Sequence, residues 1–509
     1  MKPLISCCCA LILATGVWAE LQEVSVGGEI RIRGRYWKNT YTTTTAGPGA
    51  PRYVFGNLTG RPIGPSGLVS RFDFDSAGED QDFIEQRTRL NVNAKFTDNV
   101  RTFIELESFD RWGEEFRSDY VTGVDSRGAD NVALYQAYIE ANEMWGTNLR
   151  LRIGRQEMKY GKGWLVDNIT TAIIGRSFDA ARATYFWDDF TLDAWASTLV
   201  ERFNTEDVKF YGVYGTYDGW EPLSVSAYYM LIHDGVDLAD TTGSGFLEWF
   251  EDRVGLDQYK DTFLNTVGMR LFGQSAGFDY DWELAYQFGD ADAAGVGFRP
   301  FIYGDNQAEF DNFATDIQAG YTFDAPWSPR VYLGYALFQG EDNRDYDLVH
   351  TLFPRLTRPE SSISFNRLFP GKNYSLILGI GQDLSNFWQA RGGIGVSPTE
   401  KIDLGLKVAY MEIDEPFELP RYWAPFGTPV WVGPAWWTRT ASEELGWTTT
   451  LTASYQYSDD LAFRLLWEHL FTGDGLAEGN FFAHNGLEFV GGTDDQDADY
   501  VHFDIQLTF

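Results

Sequence analysis

The sequence predicts an all-β fold, a transmembrane antiparallel β-barrel of about 18 strands with short periplasmic turns and long extracellular loops. Three observations carry that expectation. Apolar and polar residues alternate with period two from end to end: Val501, Phe503, Ile505, Leu507 and Phe509 share one face of the last run, and His502, Asp504 and Gln506 share the other. The runs are about ten residues long, the length that crosses a bilayer at a strong tilt. The connections alternate between short and long, which a soluble sandwich has no reason to do.

Taken in order, the runs fall at 23–37, 83–97, 100–112, 130–144, 148–158, 176–188, 190–201, 207–218, 222–233, 262–273, 277–289, 312–323, 329–339, 385–397, 401–414, 444–457, 460–471 and 498–509. Short connections such as Thr97-Asp98-Asn99, Asp188-Asp189, Asp218-Gly219 and Ser458 to Asp460 carry turn-forming residues. The long ones are 38–82, 113–129, 159–175, 234–261, 290–311, 340–384, 415–443 and 472–497, with 202–206 a brief member of that series. An even strand number places both termini on the short-turn side. Aromatic residues gather at the ends of the apolar faces, as in the girdles of membrane barrels.

Composition excludes other classes. The 509 residues hold 40 Lys+Arg against 74 Asp+Glu, a net charge of −34, which is wrong for a nucleic-acid binder because phosphate neutralisation needs clustered cations. An aromatic content of 16% excludes disorder. Past residue 19 no apolar run is long enough for a membrane helix. Met1–Ala19 reads as a signal peptide: Lys2, an apolar stretch from Leu4 to Val17, then Val17-Trp18-Ala19 before Glu20. Only six residues precede Cys7, too few for a lipoprotein leader. All three cysteines lie in that segment, so a mature chain of residues 20–509 has no disulfides, no Cys-based zinc site and no thiol chemistry. Residues 20–509 read as a single barrel domain in the bacterial outer membrane.

The polar parity marks the lumen. It carries Arg31, Arg33 and Arg35, Arg87 and Arg89, Arg150 and Arg152, then Arg270, Arg391, Lys407 and Arg464. Alternation falters at Gly154, and a bulge there would decide whether Arg155 also turns inward. The acid lies elsewhere: loops 234–261, 290–311 and 472–497 hold 19 carboxylates against three bases. One reading is a basic track for an anionic solute, gathered on the side formed by 23–37, 83–97 and 148–158. The competing reading is ordinary cross-strand pairing of Arg with Glu29, Glu85, Glu105, Glu107, Asp281 and Glu283. An 18-stranded barrel leaves an open channel unless something narrows it. Either loop 38–82 or loop 340–384 is expected to fold inward; the latter carries Arg355, Arg358, Arg367 and Lys372.

Catalytic patterns are missing. There is no G-x-S-x-G or phosphate-binding loop, and the five histidines are scattered. No enzyme activity, cofactor or metal is expected. The run Asp494, Asp495, Asp497 and Asp499 reads as a solvated loop face, with a calcium site as the alternative.

Residues 154–185, GRQEMKYGKGWLVDNITTAIIGRSFDAARATY, resemble the alginate-export family of outer-membrane porins, whose members carry GRQ-x(3)-Y-G at a strand end and RSFD-x-x-R on the next strand. The matching residues are Gly154, Arg155, Gln156, Tyr160, Gly161, Arg176, Ser177, Phe178, Asp179 and Arg182. Leu384–Ile413 is similar to a second family stretch, with Leu368-Phe369-Pro370 ahead of it. The resemblance implies an 18-stranded barrel exporting an anionic polysaccharide such as alginate or a related exopolysaccharide through an arginine-rich channel, with Arg155 and Arg182 added to the lumen set. The alternatives are an uptake porin for small anions or oligosaccharides and a closed barrel serving as wall or receptor. The expected partners are outer-membrane lipid, an anionic saccharide or other small anionic solute, and periplasmic secretion components, and no nucleic acid.

Overall fold

The computed structural model describes residues 21–38, 80–113, 132–169, 173–201, 207–235, 253, 261–290, 309–340, 364–378, 385–415, 442–476, 481–483, 488–490 and 497–509. In chain order the strands are β1 (Glu23–Lys38), β2 (Gln81–Thr97), β3 (Val100–Arg111), β4 (Val132–Ala141), β5 (Leu149–Gln156), β6 (Phe178–Phe186), β7 (Phe190–Val200), β8 (Val208–Trp220), β9 (Leu223–Asp234) and β10 (Thr262–Ser275). They continue with β11 (Phe278–Asp290), β12 (Glu309–Thr322), β13 (Arg330–Phe338), β14 (Phe387–Thr399), β15 (Ile402–Ile413), β16 (Glu444–Gln456) and β17 (Leu461–Thr472). A small hairpin, β18 (Phe481–Ala483) and β19 (Glu488–Val490), precedes β20 (Ala498–Thr508). Among the described residues eighteen strands form one sheet, leaving out that hairpin, and every pairing is antiparallel and between consecutive strands of the sheet in chain order, except at its closure. The sheet closes where β20 pairs with both β17 and β1.

All 18 runs expected from the alternation are strands. The parity holds because a closed barrel in lipid must satisfy every backbone group internally and present apolar side chains outward. Outward positions such as Ile139, Ile153, Leu333, Leu404, Leu465 and Phe503 are exposed, and the neighbours Glu140 and Asp504 are buried inside, with Arg152 half-buried. At the short-turn end Trp145, Trp187, Trp220 and Trp327 are exposed, the interfacial belt a barrel needs.

The closing seam runs from Glu29 opposite Thr508 to Lys38 opposite Asp499. Beyond it, the Phe509 N–H donates to the Gly28 carbonyl at 3.0 Å and the Gly28 N–H to the Phe509 carbonyl at 2.8 Å.

Candidate functional site: the partitioned lumen

Two segments between strands fold into the barrel and join there. The first follows β5, from Glu157 to Ile169; the second is 364–378. Val166 and Phe369 form a parallel bridge, the Phe369 N–H donates to the Leu165 carbonyl at 2.8 Å, and the Gly371 N–H donates to the Gly163 carbonyl at 2.9 Å. Trp164 is almost wholly buried, 6.3 Å from the Phe365 ring, and its Nε1 donates to the Tyr374 hydroxyl at 3.0 Å. Asp167 is sandwiched between the two segments. A Cβ at Gly163 would lie 2.5 Å from its carboxylate and one at Gly371 closer still, so both positions demand glycine.

Loop 340–384 was one of the two expected to fold inward, and its 364–378 part does so; loop 38–82 lies outside the described residues apart from Lys38 and its last three. The inward course of 157–169 was not anticipated. Its signal is Trp164-Leu165-Val166, an apolar triplet between Gly163 and Asp167 in a connection expected to be external. These are also the stretches that carry the family motifs: Tyr160, Gly161 and Leu368-Phe369-Pro370 are where the two segments turn and meet.

The partition is fastened to the walls by polar contacts. Gln287 of β11 exchanges amide bonds with Asn366 at 2.6 and 2.7 Å. Asp316 of β12 accepts from the Tyr374 hydroxyl, from Lys372 at 2.8 Å and from Arg391 at 2.8 Å. Burial lifts the Tyr374 phenol well above its ordinary range, with Asp316 adding to the effect, so it remains a donor. Arg87 donates to the Ile173 carbonyl at 3.0 Å.

The inward arginines are mostly paired, as the cross-strand reading expects. Arg31 and Arg33 share Asp504 at 2.7 and 2.5 Å, Arg35 meets Glu85 at 2.8 Å, Arg87 meets Glu29 at 2.5 Å and Arg89 meets Glu107 at 2.6 Å. Arg101 and Arg152 share Glu140 at 2.8 and 2.5 Å. Arg182 meets Asp193 at 2.6 Å, and Arg270 shares Asp281 with Lys162 at 2.5 and 2.8 Å. Asp504, Glu140, Asp281 and Asp316 thus serve two cations each, and Glu105, Glu283 and Glu468 accept from neutral donors. Arg150 bonds Thr184 at 3.2 Å, Lys407 bonds the Tyr374 carbonyl at 3.2 Å and Arg464 reaches Gln506 at 3.4 Å; among the described residues none of the three has a carboxylate at ion-pair distance.

Two expectations need correction. Arg155 is not in the lumen. The strand keeps its alternation through Gly154, so Arg155 takes the outer parity and forms an exposed pair with Asp179 at 2.8 Å. The irregularity lies on β4, where the register jumps between Glu105–Gln136 and Leu106–Leu134 and leaves Tyr135 unpaired. The gathering of β1, β2 and β5 into one basic side is also only partial: the arginines of β1 line a cavity from which those of β2 and β5 are absent. A cavity of about 800 Å³ brings together Arg31, Arg33 and Arg35 with Lys407 and Arg464, and adds Arg330 and His502, which sequence reasoning had not singled out. It runs along the seam, from Arg330 and Arg464 near the short turns to Trp37 and Tyr500 near the loop ends of β1 and β20. Asn373, Tyr374, Ser375 and Leu376 of the partition form its inner side. Arg87, Arg89, Arg150, Arg152, Arg182, Arg270 and Arg391 do not line it.

A closed 18-stranded barrel with apolar outer wall and charged, partitioned lumen is an outer-membrane channel. The sequence profile of the alginate export family matches residues 70–412, and the chain belongs to that family. Two solved Pseudomonas aeruginosa structures share the fold. OpdO is 12% identical over 95% of this chain and 97% of its own, with a TM-score of 0.51. OccK8 (OprE) is 13% identical over 95% and 98%, with a TM-score of 0.50. No curated protein matches the sequence.

Proposed function

We propose that this channel passes an anionic saccharide chain, alginate or a related exopolysaccharide, along the cavity at the β1–β20 seam. The observation that carries the reading is the lining: Arg31, Arg33, Arg35, Arg330, Lys407 and Arg464 face it, against the carboxylates of Asp504 and Glu468. Arginine stays charged at any working pH and its planar fork takes a carboxylate through two parallel hydrogen bonds. Here Arg31, Arg33, Arg35 and Arg330 already hold protein carboxylates, so a solute's carboxylate exchanges with an internal one. Such exchange keeps each contact weak in a wet pore, which suits a polymer that must move on. Membership of the alginate export family supports the substrate class.

Reversal potentials across a planar bilayer under a salt gradient test the reading, with oligouronates of increasing length added to one side. Anion selectivity and current blocks that lengthen with oligomer length are expected. Anion selectivity without such blocks would favour uptake of small anions. Cation selectivity in the wild type would overturn the proposal.

A further inference from the structure

We propose that one transverse row of wall residues, Lys407, Thr450 and Glu468, clamps the partition segment 364–378 across the lumen and so sets the bore of the conduit; the proposal rests on the channel reading above. The three are register partners on adjacent strands. Lys407 of β15 stands opposite Thr450 of β16, and Thr450 stands opposite Glu468 of β17. Side chains of directly opposed residues stand side by side on one face of the sheet. That face is the lumen, and all three residues line the cavity.

The two ends of the row grip the backbone of one turn with opposite charges. Lys407 Nζ donates to the Tyr374 carbonyl at 3.2 Å, and Gln389 of β14 donates to the same oxygen at 3.1 Å. Glu468 Oε1 accepts from the Ser375 hydroxyl at 2.7 Å, from the Leu376 N–H at 2.7 Å and from the Ile377 N–H at 3.3 Å. Between them, the Thr450 hydroxyl donates to Glu468 Oε2 at 3.1 Å and holds the carboxylate upright. Glu468 is fully buried. A buried carboxylate is tolerated only when donors satisfy it, and here the partition supplies most of them. Charge-assisted hydrogen bonds to peptide groups are the strong ones, and they hold the turn whatever its side chains are.

The turn so held is the inner side of the conduit: Tyr374, Ser375 and Leu376 all line the cavity. With the acceptor gone, the Leu376 N–H loses its bond to the wall and the Ile377 N–H keeps only the Ser375 hydroxyl of its own turn at 3.2 Å, so the turn leaves its seat. Glu468 and Lys407 therefore act on the solute through the position of the partition. They are positioning residues.

Single-channel recording tests this with the full barrel in a planar bilayer at 1 M salt, where the screening length falls to about 3 Å and the loss of one fixed charge has little direct effect. Glu468→Ala is expected to raise conductance to roughly twice the wild-type value, with added open-channel noise, as a partition stops narrowing a wide barrel. Lys407→Met raises it less, and the double variant conducts no more than Glu468→Ala alone, because both act on one turn. Folding is followed by the heat-dependent gel mobility of the closed barrel. If Glu468→Ala does not fold, Thr450→Val and Ser375→Ala each remove one contact of the clamp, and both are expected to show raised conductance or noise. Folded variants that conduct as the wild type does, or a double variant whose effects simply add, would overturn the clamp. A wild-type barrel that conducts nothing would instead overturn the channel reading on which the clamp rests.

Discussion

The wall from β6 to β10 and the wall from β13 round to β1 alternate in the same way and do opposite things. On the first, the inward positions hold Trp195, Phe210, Tyr214 and Tyr228. Tyr160 of the partition stacks on Trp195 at 4.6 Å and on Tyr214 at 4.8 Å, and Tyr214 stacks on Tyr228 at 5.4 Å. On the second, the inward positions near the turns hold Gly395, Gly405, Thr452 and Arg464, and the cavity lies against them. Strand number sets the circumference of a barrel. The difference between the two walls teaches that inward side-chain volume decides where the remaining space lies.

The largest effect should come from breaking the junction of the two segments that divide the sealed side from the open one. Trp164→Ala removes the side chain that joins the two inward segments. Replacing a buried Trp by Ala costs about 3–5 kcal/mol, so the barrel should unfold at lower urea in lipid vesicles and conduct more when folded. A wild-type midpoint and conductance would mean that the segments hold each other by backbone contacts alone.

The next effect sharpens the open side. Asp504→Asn removes the carboxylate shared by Arg31 and Arg33, and the reversal potential should move further toward anions. Arg464→Ser works in the opposite direction and more weakly, since among the described residues this exposed guanidinium bonds a neutral side chain, Gln506, and no carboxylate. Unfolding midpoints should stay unchanged for Arg464→Ser, because an exposed group without an ion pair contributes little.

The smallest effect is expected on the outer face. Arg155 and Asp179 form an exposed pair worth at most about 1 kcal/mol. Arg155→Ala should leave both conductance and ion selectivity at wild-type values in the same bilayer recordings. A shift toward cations would place Arg155 back in the lumen.

The fold was legible because alternation repeats in every strand, and a one-residue slip would turn an entire face to the wrong side. Inward placement of Arg31, Arg87, Arg152 and Arg391 followed from the same parity. What parity does not carry is partnership. Arg33 finds Asp504 at the other end of the chain, and Arg391 reaches across β13 to Asp316, and neither pairing has a local pattern. Arg155 was misplaced because a glycine in the left-handed region, Gly154, imitates a break in alternation without making one. The segment 157–169 escaped notice because period-two reasoning is silent about connections; there, Trp164 and Val166 had to be weighed as buried residues without a strand to bury them.

The seam gives the chain an internal order of completion. Arg31 and Asp504 are separated by 473 positions in sequence and lie 2.7 Å apart in the barrel. Part of the conduit's wall is therefore made of the first strand of the barrel and the last. A chain stopped before β20 would lack one side of the conduit together with the carboxylate that tempers its arginines. Closing the cylinder and finishing the charge pattern of its passage are the same event, so a partly assembled barrel has no half-working channel to offer.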